Sequence, residues 1–419
     1  MWNRRAFLKS GGLALLGIGL GGIPSFIAQV AKGANLKLPN YGKRKVLVFI
    51  FQRGAMDGLM AVTPFTDPFL KQARPALFMS PSNTEAAPLL DLDGRFGLHP
   101  SFQELGKLFQ NKQLAIVHGM GSPNNSRSHF DAQDYMESGT PFNKGTSSGW
   151  LNRAVGLIHD HQTPFSAVSL TSALPRSLYG NNEAIAISNL TDFALQIHGS
   201  DTKTMQQDFE ALYNNTSSKM LNSAGKESFA AMSMLKPEEL KKYRPENGSV
   251  YPSTSLGNSL KQIAQLIKMD VGLEVAFTES LGWDTHFNQG TTQGVFARSA
   301  ADLSKSINAF WQDLGSYQEN TVLMTSTEFG RTMHENGTGG TDHGRASCCF
   351  ILGSQVDGGR VYGSVPDLSI ENLADGRDLP VTTDFRTVFS SVADRHLGLN
   401  NDAVLFPEWE KEKLSLFRG

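Results

Sequence analysis

The sequence contains very little cysteine. Only two of its 419 residues are cysteines, Cys348 and Cys349, and they are adjacent in the apolar run SCCFILG. Neighbouring residues of a strand point to opposite faces, so a disulfide between these two would be strained. A disulfide framework and a cysteine-rich zinc site are therefore excluded, and we expect both thiols to pack as small apolar groups.

An excess of charge of either sign is also missing. The formal net charge is −2, with 38 Lys and Arg residues against 40 Asp and Glu residues. Nucleic-acid binding is disfavoured, because it needs a basic surface to neutralise phosphates. A Walker A loop, and a G-x-G-x-x-G loop that opens a helix after a strand, are absent too, so nucleotide binding is disfavoured. No Ser-His-Asp order is convincing, so ordinary serine-hydrolase chemistry is also disfavoured.

The first 35 residues form a segment of their own. Arg4 and Arg5 stand side by side in NRRAFLKS, and the glycine-rich apolar run GGLALLGIGLGGIPSFIAQV follows them. This order is typical of a twin-arginine export signal. A membrane anchor is the alternative, but the glycines and Pro24 weaken the run as a helix in lipid. We expect the twin-arginine translocase as a partner, a periplasmic or otherwise exported location, and no permanent membrane span unless the signal stays uncleaved.

The rest of the chain alternates between strand-like and helix-like segments. Apolar, β-branched runs such as KVLVFIFQ and LAIVHGMG are separated by amphipathic stretches such as SFQELGKLFQNKQ. The alternation predicts βαβ units, and hence an α/β fold with a mostly parallel central sheet flanked by helices on both faces. We expect one domain over residues 40–400, a polar helical insertion at about 200–255, and a C-terminal tail over 400–419.

Polar loops follow or border five of the predicted strands. They contain Asp57, His118 with the serines after it, Asp284 with His286, Glu328, and Asp342 with His343. Functional side chains gather at the carboxyl ends of parallel strands, so these loops are expected to face one crevice. Carboxylate oxygens and imidazole nitrogens suit zinc, manganese or iron. The pattern predicts a metal site at this edge of the sheet.

Each of these residues also has a simpler interpretation. His286 could hydrogen-bond within its own loop, and Asp342 could bond local backbone amides in a turn. Asp57 could be the N-cap of a helix. Glu328 could form an ion pair with Arg331 at the start of a helix.

The segment GSPNNSRSHFDAQDYMESG places hydroxyl groups at a predicted helix start. Ser126 and Ser128 are the candidate nucleophiles, because backbone amides and the positive end of a helix suit an anionic substrate. Arg127 or Arg331 could balance the charge of that substrate. Ser126 could equally cap the helix and take no part in chemistry.

Seven motifs, in order along the chain, resemble one protein family. They are FQRGAMDGL, FGLHPSF, LAIVHGMGSPNNSRSHFDAQDYMESG, GWLNR, GWDTHFNQ, TEFGRT and GTDHGRA. Over about residues 40–400 the chain resembles the DUF1501 family of twin-arginine-exported bacterial proteins. That family is similar to the alkaline phosphatase and sulfatase superfamily. The resemblance implies that fold, and a site for one or two divalent ions of zinc, manganese or calcium.

The resemblance also implies roles for single residues. The implied metal ligands are Asp57, Asp284, His286, Glu328, Asp342 and His343, and the implied catalytic residues are Ser126 or Ser128 and Arg331. Together they imply a metal-dependent hydrolase that acts on a small anionic phosphate or sulfate ester. Phe329 departs from the pattern, because the superfamily has a histidine ligand there. A non-catalytic, envelope-associated binding or assembly protein that keeps the fold is the alternative.

Overall fold

The chain folds around one nine-stranded sheet. A computed structural model describes residues 44–82, 87–158, 163–195, 235, 237–409 and 413–419. The predicted export signal at 1–35 and most of the predicted insertion at about 200–255 lie outside these residues. Among the described residues, no helix has the length and apolar character that crossing a membrane requires.

The described residues form the following strands and helices, apart from short 3₁₀ turns. The strands are β1 (Val46–Gln52), β2 (Val62–Pro64), β3 (Leu90–Asp91), β4 (Phe96–Leu98), β5 (Leu114–Gly121), β6 (Ala167–Ser169), β7 (Ile185–Ala186), β8 (Val275–Ser280), β9 (Thr321–Thr327), β10 (Arg331–Glu335), β11 (Thr341–His343), β12 (Ser347–Gly353), β13 (Arg360–Tyr362) and β14 (Thr383–Asp384). The helices are α1 (Gly58–Ala61), α2 (Pro68–Ala73), α3 (Gln103–Gln110), α4 (His129–Ser138), α5 (Trp150–Leu157), α6 (Leu190–Leu195), α7 (Pro237–Lys242), α8 (Ser255–Lys268), α9 (Val295–Leu314), α10 (Phe385–Leu397) and α11 (Asp402–Leu405).

The main sheet is parallel except at one strand. Its order is β13-β5-β12-β9-β1-β8-β6-β7, and β14 also pairs with β5. Among the described strands of this sheet, β12 is antiparallel to both of its neighbours, β5 and β9, and the other pairs are parallel. The predicted α/β fold with a mostly parallel central sheet is confirmed.

Helices cover both faces of the sheet, which explains why the first six residues of β1 are all apolar. Val46, Val48 and Ile50 pack into one buried cluster with residues of α3, α8 and α9. Leu47, Phe49 and Phe51 alternate with them and pack into a second cluster with residues of α5 and α10. A strand buried on both faces reads as a continuous hydrophobic run rather than as an alternating one.

The strand directions decide where the polar loops lie. Because β1, β5, β8 and β9 are parallel, the loops that follow them open at the same edge of the sheet. Strand β12 runs the other way, so the segment before it reaches that edge as well. This segment contains β11, which pairs with β10 in a two-stranded hairpin that joins Arg331 to His343. Arg331 therefore begins a strand, and not the helix that one interpretation of the sequence places there.

Three buried histidines are expected to make the fold sensitive to acid. Burial lowers the pKa of His99, His118 and His396 to about 4 in each case. In the first two rings, Nδ1 accepts a backbone N–H while Nε2 faces a carbonyl oxygen, so a second ring proton has no acceptor. A lowered pKa favours the neutral ring. The contribution of these neutral rings to the stability of the fold is therefore fully present above about pH 6.5 and is lost as the pH falls toward 4.

We expect protonation of each of these rings to lower the free energy of unfolding by about 1–3 kcal/mol as the pH falls from about 6.5 toward 4. The measurement is urea denaturation at about pH 7.5 and about pH 5, comparing wild type with His118→Gln. The variant should lose less stability on acidification than wild type does. His334→Gln is the control, because His334 is exposed on β10. Equal losses in all three proteins would contradict the prediction.

Candidate metal centre

Three imidazole rings and one carboxylate meet at the carboxyl edge of the sheet. His129 is the first residue of α4, Asp284 and His286 lie in the loop after β8, and His343 ends β11. The Oδ1 atom of Asp284 lies 3.2 Å from Nε2 of His286, 3.4 Å from Nε2 of His343 and 3.6 Å from Nε2 of His129. We call these four residues the His-Asp cluster.

The ligand spacing within the cluster suits a metal ion. Among the described residues, His129, Asp284 and His343 form a group whose ligand atoms all lie within 4.8 Å of one another. Zinc binds nitrogen and carboxylate oxygen at about 2.0–2.2 Å, so atoms that share one ion lie about 3–4 Å apart. His286 extends the group on the side of Asp284 and His343.

The other ring nitrogen of each histidine is fixed by an oxygen. The three pairs are His129 Nδ1 with Glu328 Oε1 at 2.8 Å, His286 Nδ1 with Asp342 Oδ1 at 3.0 Å, and His343 Nδ1 with the carbonyl oxygen of Arg127 at 2.8 Å. Ionised carboxylate and carbonyl oxygens only accept, so each Nδ1 carries the proton and each neutral ring keeps a lone pair on Nε2. Oxygen acceptors orient metal-binding histidines in this way.

When their rings are neutral, the Nε2 atoms of His286 and His343 face each other and the Asp284 carboxylate, and none of these groups donates a hydrogen bond. Nε2 of His286 lies 2.8 Å from Nε2 of His343, so two lone pairs face each other unless a proton or a cation lies between them. Nε2 of His129 is buried and has no hydrogen-bond partner. A buried polar atom without a partner costs free energy, which a bound cation would remove. The residues present therefore fit a divalent metal ion.

Two carboxylates beside the imidazole rings, the buried Glu328 and the half-buried Asp284, favour the ionised form. Burial alone would raise the pKa of Glu328, but hydrogen bonds from His129 and Gln133 hold it below its usual value. Burial would likewise raise the pKa of Asp284, and the Arg331 guanidinium beside it holds that pKa low. Negative charge is thus available on both sides of the imidazoles at neutral pH.

The histidines differ in their preference for a proton. The hydrogen bond to Glu328 raises the pKa of His129, against the opposing effect of partial burial. Burial and the neighbouring His129 and Arg331 lower the pKa of His343, which keeps this ring neutral. A metal cation would satisfy the two facing nitrogens of His286 and His343.

Arg331, which the sequence analysis assigned to catalysis, is a buried link between loops. Its side chain has 0% exposure, and Nη2 donates to Asp284 Oδ1 at 2.6 Å. Its other bonds go to the carbonyl oxygens of Gly54, Ala55, Trp283 and Thr341. The guanidinium thus joins the loops after β1 and β8 to the β10–β11 hairpin.

Glycine is required where the first two of these loops touch. Gly54 has φ +113°, and a Cβ atom there would lie 2.6 Å from the backbone nitrogen of Asp284. Its own N–H donates to Glu328 Oε1 at 2.9 Å. A side chain at position 54 would push the Asp284 loop away from the cluster and strain the backbone.

The six predicted metal ligands fall into three groups. Asp284, His286 and His343 come together in the cluster. Glu328 and Asp342 instead hold histidine rings through their Nδ1 atoms.

Asp57 is engaged elsewhere. It is the N-cap of α1, where its side chain accepts from Met60 N at 3.2 Å, and it forms a buried ion pair with Arg74 at 2.7 Å. The N-cap interpretation of the sequence describes its contacts.

The two candidate serines differ in their surroundings. Ser126 Oγ accepts the backbone N–H of Ser128 at 3.3 Å. Ser128 is the exposed N-cap of α4, and its side chain makes no capping hydrogen bond. Arg127 between them is tied to Asp378 at 3.1 Å and to Asp375 at 2.8 Å, so its charge is already balanced.

His129 is the site residue that the sequence analysis missed. Its ring stacks on Phe329, with centroids 5.0 Å apart and the planes at 27°. Phe329, the residue that departs from the superfamily pattern, therefore packs against an imidazole that comes from a different element. A signal was available in the sequence, because His129 stands at the start of a helix that follows a strand of the same edge.

Several solved structures are similar to this chain, and three of them are hydrolases or periplasmic domains by their descriptions. The C-terminal periplasmic domain of EcEptC from Escherichia coli, in complex with Zn, is 8% identical, with a TM-score of 0.35 over 74% of this chain and 73% of that chain. The PsFucS1 sulfatase from Pseudoalteromonas sp. is 12% identical, with a TM-score of 0.34 over 81% and 68%. The phosphonate monoester hydrolase of Agrobacterium radiobacter is 11% identical, with a TM-score of 0.32 over 88% and 79%. Similarity at this level does not transfer chemistry between proteins.

The family of the chain is clear from its sequence. A search of curated proteins gave no match. A family model described as "Protein of unknown function (DUF1501)" matches residues 44–406, which include every residue of the His-Asp cluster. The chain belongs to the DUF1501 family, as its seven motifs predicted.

Proposed function

We propose that this chain is an exported, metal-dependent hydrolase of phosphate or sulfate esters. The observation that carries the metal site is the convergence of three Nε2 lone pairs on Asp284 Oδ1, with each Nδ1 fixed by an oxygen. The ester class follows from the resemblance of the motifs to the alkaline phosphatase and sulfatase superfamily. A divalent ion held there would act as a Lewis acid toward an ester oxygen.

The donor atoms favour particular metals. Imidazole nitrogens suit zinc or manganese, whereas calcium prefers six to eight oxygen ligands. His129, Asp284 and His343 would hold the ion, with His286 as a further ligand. Glu328 and Asp342 would orient two of the rings and add negative charge behind them. We therefore propose one zinc or manganese ion at the cluster rather than a calcium site.

The substrate would reach the cluster from the side of the β8 loop. The side chain of Asp284 is 50% exposed and that of Asp342 is 55% exposed, whereas Glu328 behind them is fully buried. The N-terminus of α4 carries the partial positive charge that favours an anion. Ser128 is exposed there and is adjacent in the chain to His129, so we propose its hydroxyl, rather than that of Ser126, as the nucleophile.

The location of the protein is part of the proposal. Arg4 and Arg5, with the apolar run after them, support export by the twin-arginine translocase, which moves folded proteins. We propose that residues 1–35 are this signal, that residues 40–400 form the single functional domain, and that the metal is loaded before export.

Metal analysis of the purified protein tests the central claim. We expect about one zinc or manganese ion per chain, and its loss in the variant that combines His286→Ala with His343→Ala. His334→Ala is the matched control, because this histidine is exposed and lies outside the cluster. A metal-free wild type, equally stable with and without a chelator, would overturn the proposed site.

A panel of phosphate and sulfate esters tests the chemistry separately. Wild type should hydrolyse at least one ester, and Ser128→Ala should lose more activity than Ser126→Ala. A protein that binds metal in stoichiometric amount but hydrolyses none of the esters would support the alternative of a binding or assembly protein.

A further inference from the structure

One buried amide joins the two loops that carry the cluster. Gln289 has 0% exposure, and its Oε1 accepts from Thr285 Oγ1 at 2.8 Å and from Thr341 Oγ1 at 2.7 Å. Thr285 lies between Asp284 and His286, and Thr341 is two residues before His343. A single oxygen atom therefore fixes the spacing between the two loops.

The other end of this amide is anchored by an ion pair. Gln289 Nε2 donates to Asp57 Oδ2 at 2.7 Å, and the same oxygen accepts from Arg74 Nη1 at 2.7 Å. Arg74 also donates to the carbonyl oxygens of Met333 and Thr332 in β10, at 2.8 and 2.7 Å. The carboxylate can only accept, so the amide nitrogen must face it and the amide oxygen must face the two hydroxyls.

We propose that Asp57, Arg74 and Gln289, together called the brace, are positioning residues that set the metal affinity of the His-Asp cluster. The inference rests on the proposed metal site. A metal ion tolerates only small changes in the spacing of its ligands, so a group that fixes two ligand loops contributes to affinity without touching the ion. Asp57, predicted from the sequence as a ligand, acts here through Gln289.

The loops are expected to keep their general position without the brace. A backbone hydrogen bond also joins them, from Thr341 N to Thr285 O at 3.1 Å. Arg331 contributes a further link through the carbonyl oxygen of Thr341. Loss of the amide should therefore loosen the ligand spacing rather than unfold the edge of the sheet.

The test is metal affinity, measured by calorimetric titration of zinc or manganese into chelator-treated protein. Gln289→Leu removes both ends of the amide and is expected to weaken binding by about 10-fold or more. Asn152→Leu is the matched control. Asn152 is also a buried amide, and it donates to the carbonyl oxygens of Leu178 and Asn182 at 3.0 and 2.8 Å, away from the cluster. This variant should lose thermal stability but keep wild-type affinity.

Variants of Thr341 distinguish an effect on the spacing of the metal ligands from an effect on the stability of the fold. Thr341→Ser keeps the bond to Gln289 and should keep the affinity, whereas Thr341→Val should weaken binding. In the Gln289→Leu background, Thr341→Val should add little, because the shared bond is already lost. If Gln289→Leu does not fold, the metal affinities of Thr341→Ser and Thr341→Val are compared instead, and this comparison tests the proposal.

The two proposals fail in different ways. A wild type that binds neither ion overturns the proposed metal site. A wild type that binds metal, with Gln289→Leu and Thr341→Val binding equally well, overturns the brace alone.

Discussion

Replacing His129 with alanine is expected to remove most of the metal affinity of the protein. His129 contributes one of the three ligand atoms that lie within 4.8 Å of one another, and its Nε2 has no hydrogen-bond partner. Loss of an outer partner of a metal ligand costs about 10- to 100-fold in affinity, so loss of a ligand should cost more. Titration of zinc or manganese into the metal-free variant measures the effect.

Two further variants make this result specific. Glu328→Gln keeps the shape of the side chain but removes the charge that orients His129, so its loss of affinity should fall within the 10- to 100-fold interval. His334→Ala should bind as wild type does. Unchanged binding in His129→Ala would place the ion on Asp284, His286 and His343 alone, and would leave the unpartnered nitrogen of His129 without an explanation.

Replacing Arg331 with methionine is expected to destabilise the fold by about 3–5 kcal/mol, because a buried backbone oxygen that loses its donor costs about 1–3 kcal/mol. In this case Asp284 would lose its guanidinium, and four carbonyl oxygens in three loops would lose a donor. Urea denaturation of the metal-free protein gives the free energy of unfolding directly.

The control for this variant is Arg345→Met. Arg345 is partly exposed and donates to the carbonyl oxygen of Pro123 at 3.4 Å, so its loss should change stability by less than about 0.5 kcal/mol. An Arg331→Met protein that is as stable as wild type but inactive toward esters would restore the catalytic role that the sequence analysis gave to this arginine.

The sheet and three cluster residues could be predicted from the sequence because the signals are local. A continuous apolar run such as 46–51 indicates a strand buried on both faces, and polar residues directly after such runs indicate the functional edge. Asp284 with His286, and His343 with its neighbour Asp342, lie in loops of this kind. These residues lie close together because parallel pairing brings the carboxyl ends of strands to one edge of the sheet, however far apart the strands are along the chain.

The remaining features depend on tertiary contacts that a local pattern cannot indicate. The burial of Arg331 arises because the loops after β1 and β8 and the β10–β11 hairpin meet around it, and no local pattern indicates this meeting. The contacts of Asp57 depend on Arg74 and Gln289, which lie in other segments. The reversed direction of β12 is equally hidden, since a buried strand looks the same in either direction.

The separation of the cluster residues along the chain has a consequence for the order of folding. His129 and Glu328 are 199 positions apart, and His343 lies later still. Contacts of such long range form only after the intervening strands have paired, because closing large loops costs entropy. An intermediate in which β9 or the β10–β11 hairpin has not formed contains His129, Asp284 and His286 in its folded part, but lacks Glu328 or His343. Capture of the cation at full affinity would then mark the completion of folding.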